Sequence, residues 1–286
     1  MDMNQVLAVE LNVKPWQVEA AVKLIDEGNT IPFISRYRKE ATGSLNDEIL
    51  RNLYDRLMYL RSLNDRKAVV LASIEEQGKL TAELKKSIEE AATLVVVEDL
   101  YRPYRPKRRT RATIAKEKGL EPLANIILLQ MTKEPLEKEA EAFVSEEKEV
   151  KTAKDAIAGA CDIIAESISD EADYRMEIRR RTEAKGLIVS TAKDEKAESV
   201  YENYYEFSEP VSKIAGHRVL ALNRGEKEKF LNVKIEVPTE EILRYLEKKI
   251  ITKENPQTKP VLQATIEDAY NLSLIHISEP TRRSYI

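Results

Sequence analysis

Cysteine and histidine are nearly missing from this chain. Cys161 is the single cysteine and His217 and His276 the two histidines among 286 residues. One thiol cannot close an intrachain disulfide or build a thiolate zinc cluster, and the histidines show no HExxH spacing, so no metal site and no cofactor is expected. A reducing, cytoplasmic setting fits that cysteine usage. With 8 glycines and 11 prolines the chain has little room for collagen-like or linker-dominated architecture. No run of about 18 apolar residues is present, which argues against a membrane helix. The opening MDMNQVLAVELNVKPW has no basic segment followed by an apolar run, so nothing reads as a signal peptide. GxxxxGK[ST], GxGxxG and GxSxG motifs are all missing, and Cys161 has no candidate histidine partner. Acid pairs such as Glu98 with Asp99 or Asp170 with Glu171 could in principle hold magnesium, but among 50 acids they arise by chance, and no enzyme is expected. Neither sign of charge dominates: 46 Lys and Arg face 50 Asp and Glu, a net of −4. Any binding to a polyanion must therefore rest on local patches.

What is present is 42% hydrophobic and 34% charged residues, the mix of a helix-rich globular protein of about two domains. Val6, Leu7, Val9 and Leu11 form an apolar segment, and Pro15 opens a second helix carrying Trp16, Val18, Val22, Leu24 and Ile25 up to Gly28. That outline fits a DNA-reading helix-turn-helix and equally an ordinary helical hairpin. Ser44 with Asp47 and Glu48 reads as a helix start, followed by a stripe of Ile49, Leu53, Leu57 and Leu60. A separate helix is expected through Val69, Val70 and Ile74 to Gly78, and one capped by Thr81 through Leu84 and Ile88. Residues 134–154 suit exposed helices, and residues 156–168 a buried one in which Cys161 is a small core residue. After Gly186 the pattern changes. Leu187–Ser190 and Phe230–Val237 read as strands and Thr239–Ile251 as a helix. The fold class expected is mainly α: a multi-helix N-terminal region with a helix-turn-helix-like start, then a small mixed α/β segment.

Two segments could touch nucleic acid. In YRPYRPKRRTR, Arg102, Arg105, Lys107, Arg108, Arg109 and Arg111 bring six positive charges, interleaved with Tyr101 and Tyr104. Pro103 and Pro106 should keep this strip extended, so that it could follow consecutive phosphates while a tyrosine stacks on a base. Equally, the arginines could pair with the chain's own acids and lock an irregular crossing. The second segment, IPFISRYRKEATG, places Arg36, Arg38 and Lys39 beside Tyr37. Extended, it would put Phe33, Ser35 and Tyr37 on one side, but Glu40 neutralises it locally and its apolar residues call for burial, so the residues favour a structural use.

Longer strings carry a resemblance. IPFISRYRKEATGSL, EQGKLT, EDLYRPYRPKRRTRATIAKEKGLEPLA, CDIIAESISDEADYR and HRVLALNRGEKE, in that order, resemble the N-terminal half of the Tex family of bacterial transcription accessory proteins, also called YhgF. The resemblance implies a cytoplasmic, non-catalytic, nucleic-acid-binding accessory factor related to eukaryotic elongation factors that associate with RNA polymerase. It also implies an elongated helical fold, in which an N-terminal helical region with a helix-turn-helix precedes an RNase H-like domain lacking a competent nuclease site. Helix-hairpin-helix elements and an RNA-binding oligonucleotide-binding fold come last. The division expected is a helical domain over 1–190 and the start of a mixed central region over 191–271, ending before the RNase H-like domain. Residues 272–286, LSLIHISEPTRRSYI, depart from the family and read as translated sequencing-adaptor sequence. The partners expected are an RNA or DNA phosphate backbone and RNA polymerase or other transcription machinery, with no membrane. The alternative is a helical protein-interaction scaffold docking on that machinery, with RNA held by a C-terminal domain outside this chain.

Overall fold

The structure, a computed structural model, describes residues 2–106, 109–194 and 196–271. Lys107, Arg108 and the segment 272–286 lie outside the described residues. The chain forms two compact units, one ending at Tyr101 and one beginning at Arg102.

The first unit is helical. Its elements are α1 (Met3–Glu10), α2 (Pro15–Asp26), α3 (Ile31–Tyr37), α4 (Asp47–Glu76), α5 (Ala82–Glu90) and α6 (Leu94–Tyr101). Pro15 sits in the first turn of α2, where its missing N–H costs nothing, and Gly28 follows that helix with φ 83°. α4 starts at Asn46, whose side chain accepts from the Ile49 N–H at 2.8 Å, while Ser44 stands in the left-handed region at φ 62°. The cap is therefore two residues beyond the expected one. α4 also runs unbroken for 30 residues, where the sequence pattern predicts two helices. Its middle, RSLNDRKA, is polar but holds no Gly or Pro, so nothing interrupts the backbone hydrogen bonds. Leu50, Leu53 and Leu57 pack with Leu7, Val18, Ala21 and Ile34 in one core. Further along, Leu63, Val70 and Ile74 are buried as well, and Tyr59 and Lys67 tie α4 to the segment of α5 and α6. Arg56 grips Glu10 with two bonds of 2.7 Å, and Arg61 grips Asp26 at 2.7 and 2.8 Å. Both carboxyls are held below their usual range by those guanidinium hydrogen bonds.

The second unit comprises α7 (Arg111–Glu117), α8 (Glu121–Leu129), α9 (Leu136–Glu141), α10 (Ala153–Asp170) and α11 (Ala172–Lys185), then β1 (Leu187–Ala192), β2 (Glu206–Pro210), α12 (Gly216–Lys227), β3 (Leu231–Glu236), α13 (Thr239–Ile250) and α14 (Lys259–Ala269). Thr152 and Asp155 form a reciprocal cap at the start of α10. Ala156, Ala160, Ile164 and Ile168 of α10 are buried at the centre of a core shared with Leu123, Ile127, Leu246 and Ile266. Cys161 lies along this helix, and burial pushes its thiol up, which suits a packing residue rather than a nucleophile. The sheet has the order β2-β1-β3, with both pairs antiparallel. Ile188 faces Ile235 across β1 and β3, and Leu231, Val233, Val219 and Leu222 close a smaller core against α12. β2 has no signal in the sequence: in EFSEP only Phe207 and the terminal proline are apolar, and pairing to β1 makes the strand. Among the described residues no helix is long and apolar enough to cross a membrane.

Candidate nucleic-acid interface

The start of the basic strip is not extended. α6 continues to Tyr101, and Arg102–Tyr104 form one 3-10 turn ahead of α7. Pro103 can enter such a turn because the first N–H groups of a helical turn need no partner. Tyr101 is buried, with its hydroxyl 3.0 Å from Ser73 Oγ and the Arg66 guanidinium 5.4 Å over its ring. It is a core residue of the first unit and presents no free face to a base.

In the second unit the arginines of the strip meet acids of other elements. Arg102 Nε donates to Asp170 Oδ1 at 3.1 Å, and Asp170 is only 8% exposed at the end of α10. Arg111 lies 3.4 Å from Asp162 and 3.3 Å from Asp268, joining α7 to α10 and α14. Burial raises Asp162 above the usual carboxylate range, with Arg111 opposing that shift and Asp268 reinforcing it. Between them Thr110 caps α7 through the Thr113 N–H and donates its hydroxyl to Glu166 at 3.0 Å. Arg109 pairs with Glu117 at the surface. Asp170, one of the acids weighed as a magnesium ligand, is thus a partner of Arg102, and Glu98 is likewise a partner of Arg66. Arg105 is exposed and forms no ion pair among the described residues, and Tyr104 is half-buried.

The second segment is helical where it begins. Residues 31–37 are helical, so Phe33 and Tyr37 align by a four-residue helical step and not by strand alternation. Ile34 is the residue of α3 that fills the core, while Phe33 and Tyr37 remain 37% and 69% exposed. Their rings stand 5.3 Å apart at 42°, and the Arg38 guanidinium lies 5.6 Å from the centre of the Phe33 ring. Arg36, Arg38, Lys39 and Glu40 are exposed, and none forms an ion pair among the described residues. The loop that follows is held firmly. The Thr42 hydroxyl donates to Arg38 O at 3.2 Å, and Gln17 Nε2 donates to Thr42 O and Gly43 O at 3.1 Å each. Gly43, with φ 62°, is required twice over, because a Cβ there would stand 2.5 Å from the Trp16 indole. Phe33 and Tyr37 are the aromatic residues of this segment that the sequence reading noted but did not count among the nucleic-acid contacts. An aromatic spaced four residues before Tyr37 would have signalled Phe33 had the segment been read as a helix.

The fold is that of a mainly helical protein with a small three-stranded antiparallel sheet. Residues 1–75 match the Tex-like protein N-terminal domain and residues 130–272 the Tex central region-like domain. The chain belongs to the Tex family. It is 48% identical over 271 residues to protein YdcI of Bacillus subtilis, covering 94% of this chain and 38% of that one. To the transcriptional accessory protein Tex of Neisseria gonorrhoeae it is 43% identical over 236 residues, 82% of this chain and 31% of that protein. Human S1 RNA-binding domain-containing protein 1 is 30% identical over 246 residues, 82% of this chain and 24% of its own length. The chain therefore spans well under half the length of these relatives.

Proposed function

We propose that this chain is a nucleic-acid-binding part of a cytoplasmic transcription accessory factor and performs no chemistry of its own. The names of its relatives, one a transcriptional accessory protein and one an S1 RNA-binding domain-containing protein, support the class. The observation that carries the reading to this chain is that, within the two basic segments, some described cations have no acidic partner. Arg36, Arg38 and Lys39 on one unit, and Arg105 on the other, are exposed and unpaired, whereas Arg102 and Arg111 are tied into α10 and α14. Phosphate contact needs cations of the first kind. α2, the helix that would do the reading in a helix-turn-helix, holds one cation, Lys23, and two acids, Glu19 and Asp26, so we assign the phosphate contacts to α3 and the turn around Arg105.

Fluorescence anisotropy with labelled oligonucleotides tests this. Binding should weaken steeply with salt, and Arg36→Glu with Arg38→Glu, or Arg105→Glu, should weaken it several-fold at an unchanged melting temperature. Asp170→Asn should instead lower the melting temperature and leave binding intact. Oligonucleotide affinity indifferent to salt and to all of these cations would refute the reading, and metal-dependent cleavage would refute its non-catalytic part.

A second reading, a protein-interaction scaffold docking on the transcription machinery, draws support from Leu129 and Met131, two large apolar side chains exposed side by side around the buried Gln130. Under that reading Leu129→Asp with Met131→Asp weakens association with purified RNA polymerase and leaves oligonucleotide binding unchanged.

A further inference from the structure

Cations account for attraction to phosphate, but they leave the aromatic face of α3 unexplained. Phe33, Arg36 and Tyr37 lie three and four residues apart and share one side of the helix, while Ile34 on another side fills the core. Tyr37 stays mostly in water and Phe33 keeps 37% of its surface exposed although the unit has an apolar core. They are also mounted rigidly: the loop behind them is pinned by Gln17 and Thr42, and the Trp16 indole closes on Gly43. An exposed aromatic pair on a fixed support, ringed by unpaired cations, is what base stacking with phosphate contact requires.

We infer that this face of α3 is a stacking platform for single-stranded nucleic acid, in which Phe33 and Tyr37 take unpaired bases and Arg36, Arg38 and Lys39 hold the adjoining phosphates. The inference rests on the nucleic-acid reading above and narrows it to a strand type and a place. Three observations choose the occupant. The ring centroids, 5.3 Å apart, allow neighbouring bases of one strand to meet different rings. Arg38 covers part of Phe33 and extends the stacking surface with a planar cation. The three cations face a single acid in this stretch, Glu40, so the local charge favours a polyanion although the whole chain is at −4. A duplex hides its base faces and would meet the cations alone. An acidic peptide satisfies the same cations and leaves the rings in water.

The test uses the full chain with a short oligouridylate, an oligothymidylate of equal length and a duplex of mixed sequence. Single strands should bind about tenfold or more tighter than the duplex, and Phe33→Ala with Tyr37→Ala should remove most of that difference, weakening single strands about tenfold and the duplex less than about twofold. Equal affinity for the two single strands supports contact with base and phosphate alone, while tighter uridylate adds a contact to the 2′-hydroxyl. Removing Arg36, Arg38 and Lys39 together should reduce the slope of log affinity against log salt by about 2. Trp16 is the single tryptophan, and its emission should change on binding. If the alanine pair lowers the melting temperature, Phe33→Leu with Tyr37→Leu keeps the apolar volume, removes the rings and gives the same readout. Single-strand affinity untouched by either pair overturns the platform while nucleic-acid binding stands. Polyglutamate competing as well as the oligonucleotides assigns the face to a protein partner and overturns it too. Failure of all three nucleic acids to bind overturns the functional reading itself.

Discussion

Gln130 ties the end of α8 to the segment beyond α13 through a single buried side chain. It sits in the left-handed region at φ 53°, just past α8, and is buried. Its Nε2 donates to Ile250 O at 2.7 Å and its Oε1 accepts from the Thr252 and Lys253 N–H groups at 3.0 Å each. One side chain thereby satisfies the backbone beyond the C-terminus of α13. Gln130→Leu leaves the buried Ile250 O without its donor, at a cost of about 1–3 kcal/mol, while the N–H groups of the exposed Thr252 and Lys253 can turn to water. We expect a loss of about 2 kcal/mol in urea unfolding, and Gln130→Glu should also destabilise because a carboxylate cannot donate to Ile250. A lone glutamine between Leu129 and Met131 carries no periodic signal, which is why the sequence does not reveal it. Glu177 makes a second prediction at this scale. Hydrogen bonds from Arg180 and Arg181, at 2.7–2.8 Å, hold its carboxyl at about 2, below the ordinary 4.5. A depressed carboxyl contributes stability above its unfolded value and loses it as pH falls through its folded one. The stability gap between the parent chain and Glu177→Gln should thus be full at pH 7 and close between about pH 4.5 and 2, read by urea midpoints across that range. Arg180 is largely exposed, so added salt should shrink the gap.

At the scale of elements, α12 and β3 meet through a glycine. A Cβ on Gly225 would lie 2.6 Å from Leu231 Cδ1, 2.9 Å from its Cγ and 3.2 Å from the Tyr201 ring. Gly225→Ala gains up to about 1 kcal/mol in helix propensity, but overpacking this contact costs about 1–3 kcal/mol. A net fall in the melting temperature is expected by calorimetry; a rise would mean that Leu231 and Tyr201 can move aside. Helices with strong local signals were legible before the fold was known. Pro15, Thr81 and the apolar stripe of α13 all act as the sequence implies. The failures share a cause. β2, the union of the two halves of α4 and the helical form of residues 31–37 are decided by what each segment packs against, and a local window holds no trace of that.

For the whole molecule, a net charge of −4 argues against a general basic coat, and three of the strip's cations are neutralised within the fold. Arg102, Arg109 and Arg111 find their acids on α10, α7 and α14, at sequence separations that no motif encodes. The family strings contain both basic segments. Which of their cations face solvent could not be read from them, because pairing over such distances is a product of the fold. In the first unit α4 serves two packing groups along about 45 Å of one uninterrupted rod. Leu50, Leu53 and Leu57 engage one and Leu63, Val70 and Ile74 lie in the other. Each residue of a helix turns the next by about 100°, so the two sets of side chains are locked in rotational phase by the number of residues between them. The stretch between Leu57 and Leu63 therefore acts as a spacer whose length is fixed. Losing or gaining one residue there would aim half of the rod's apolar stripe at water.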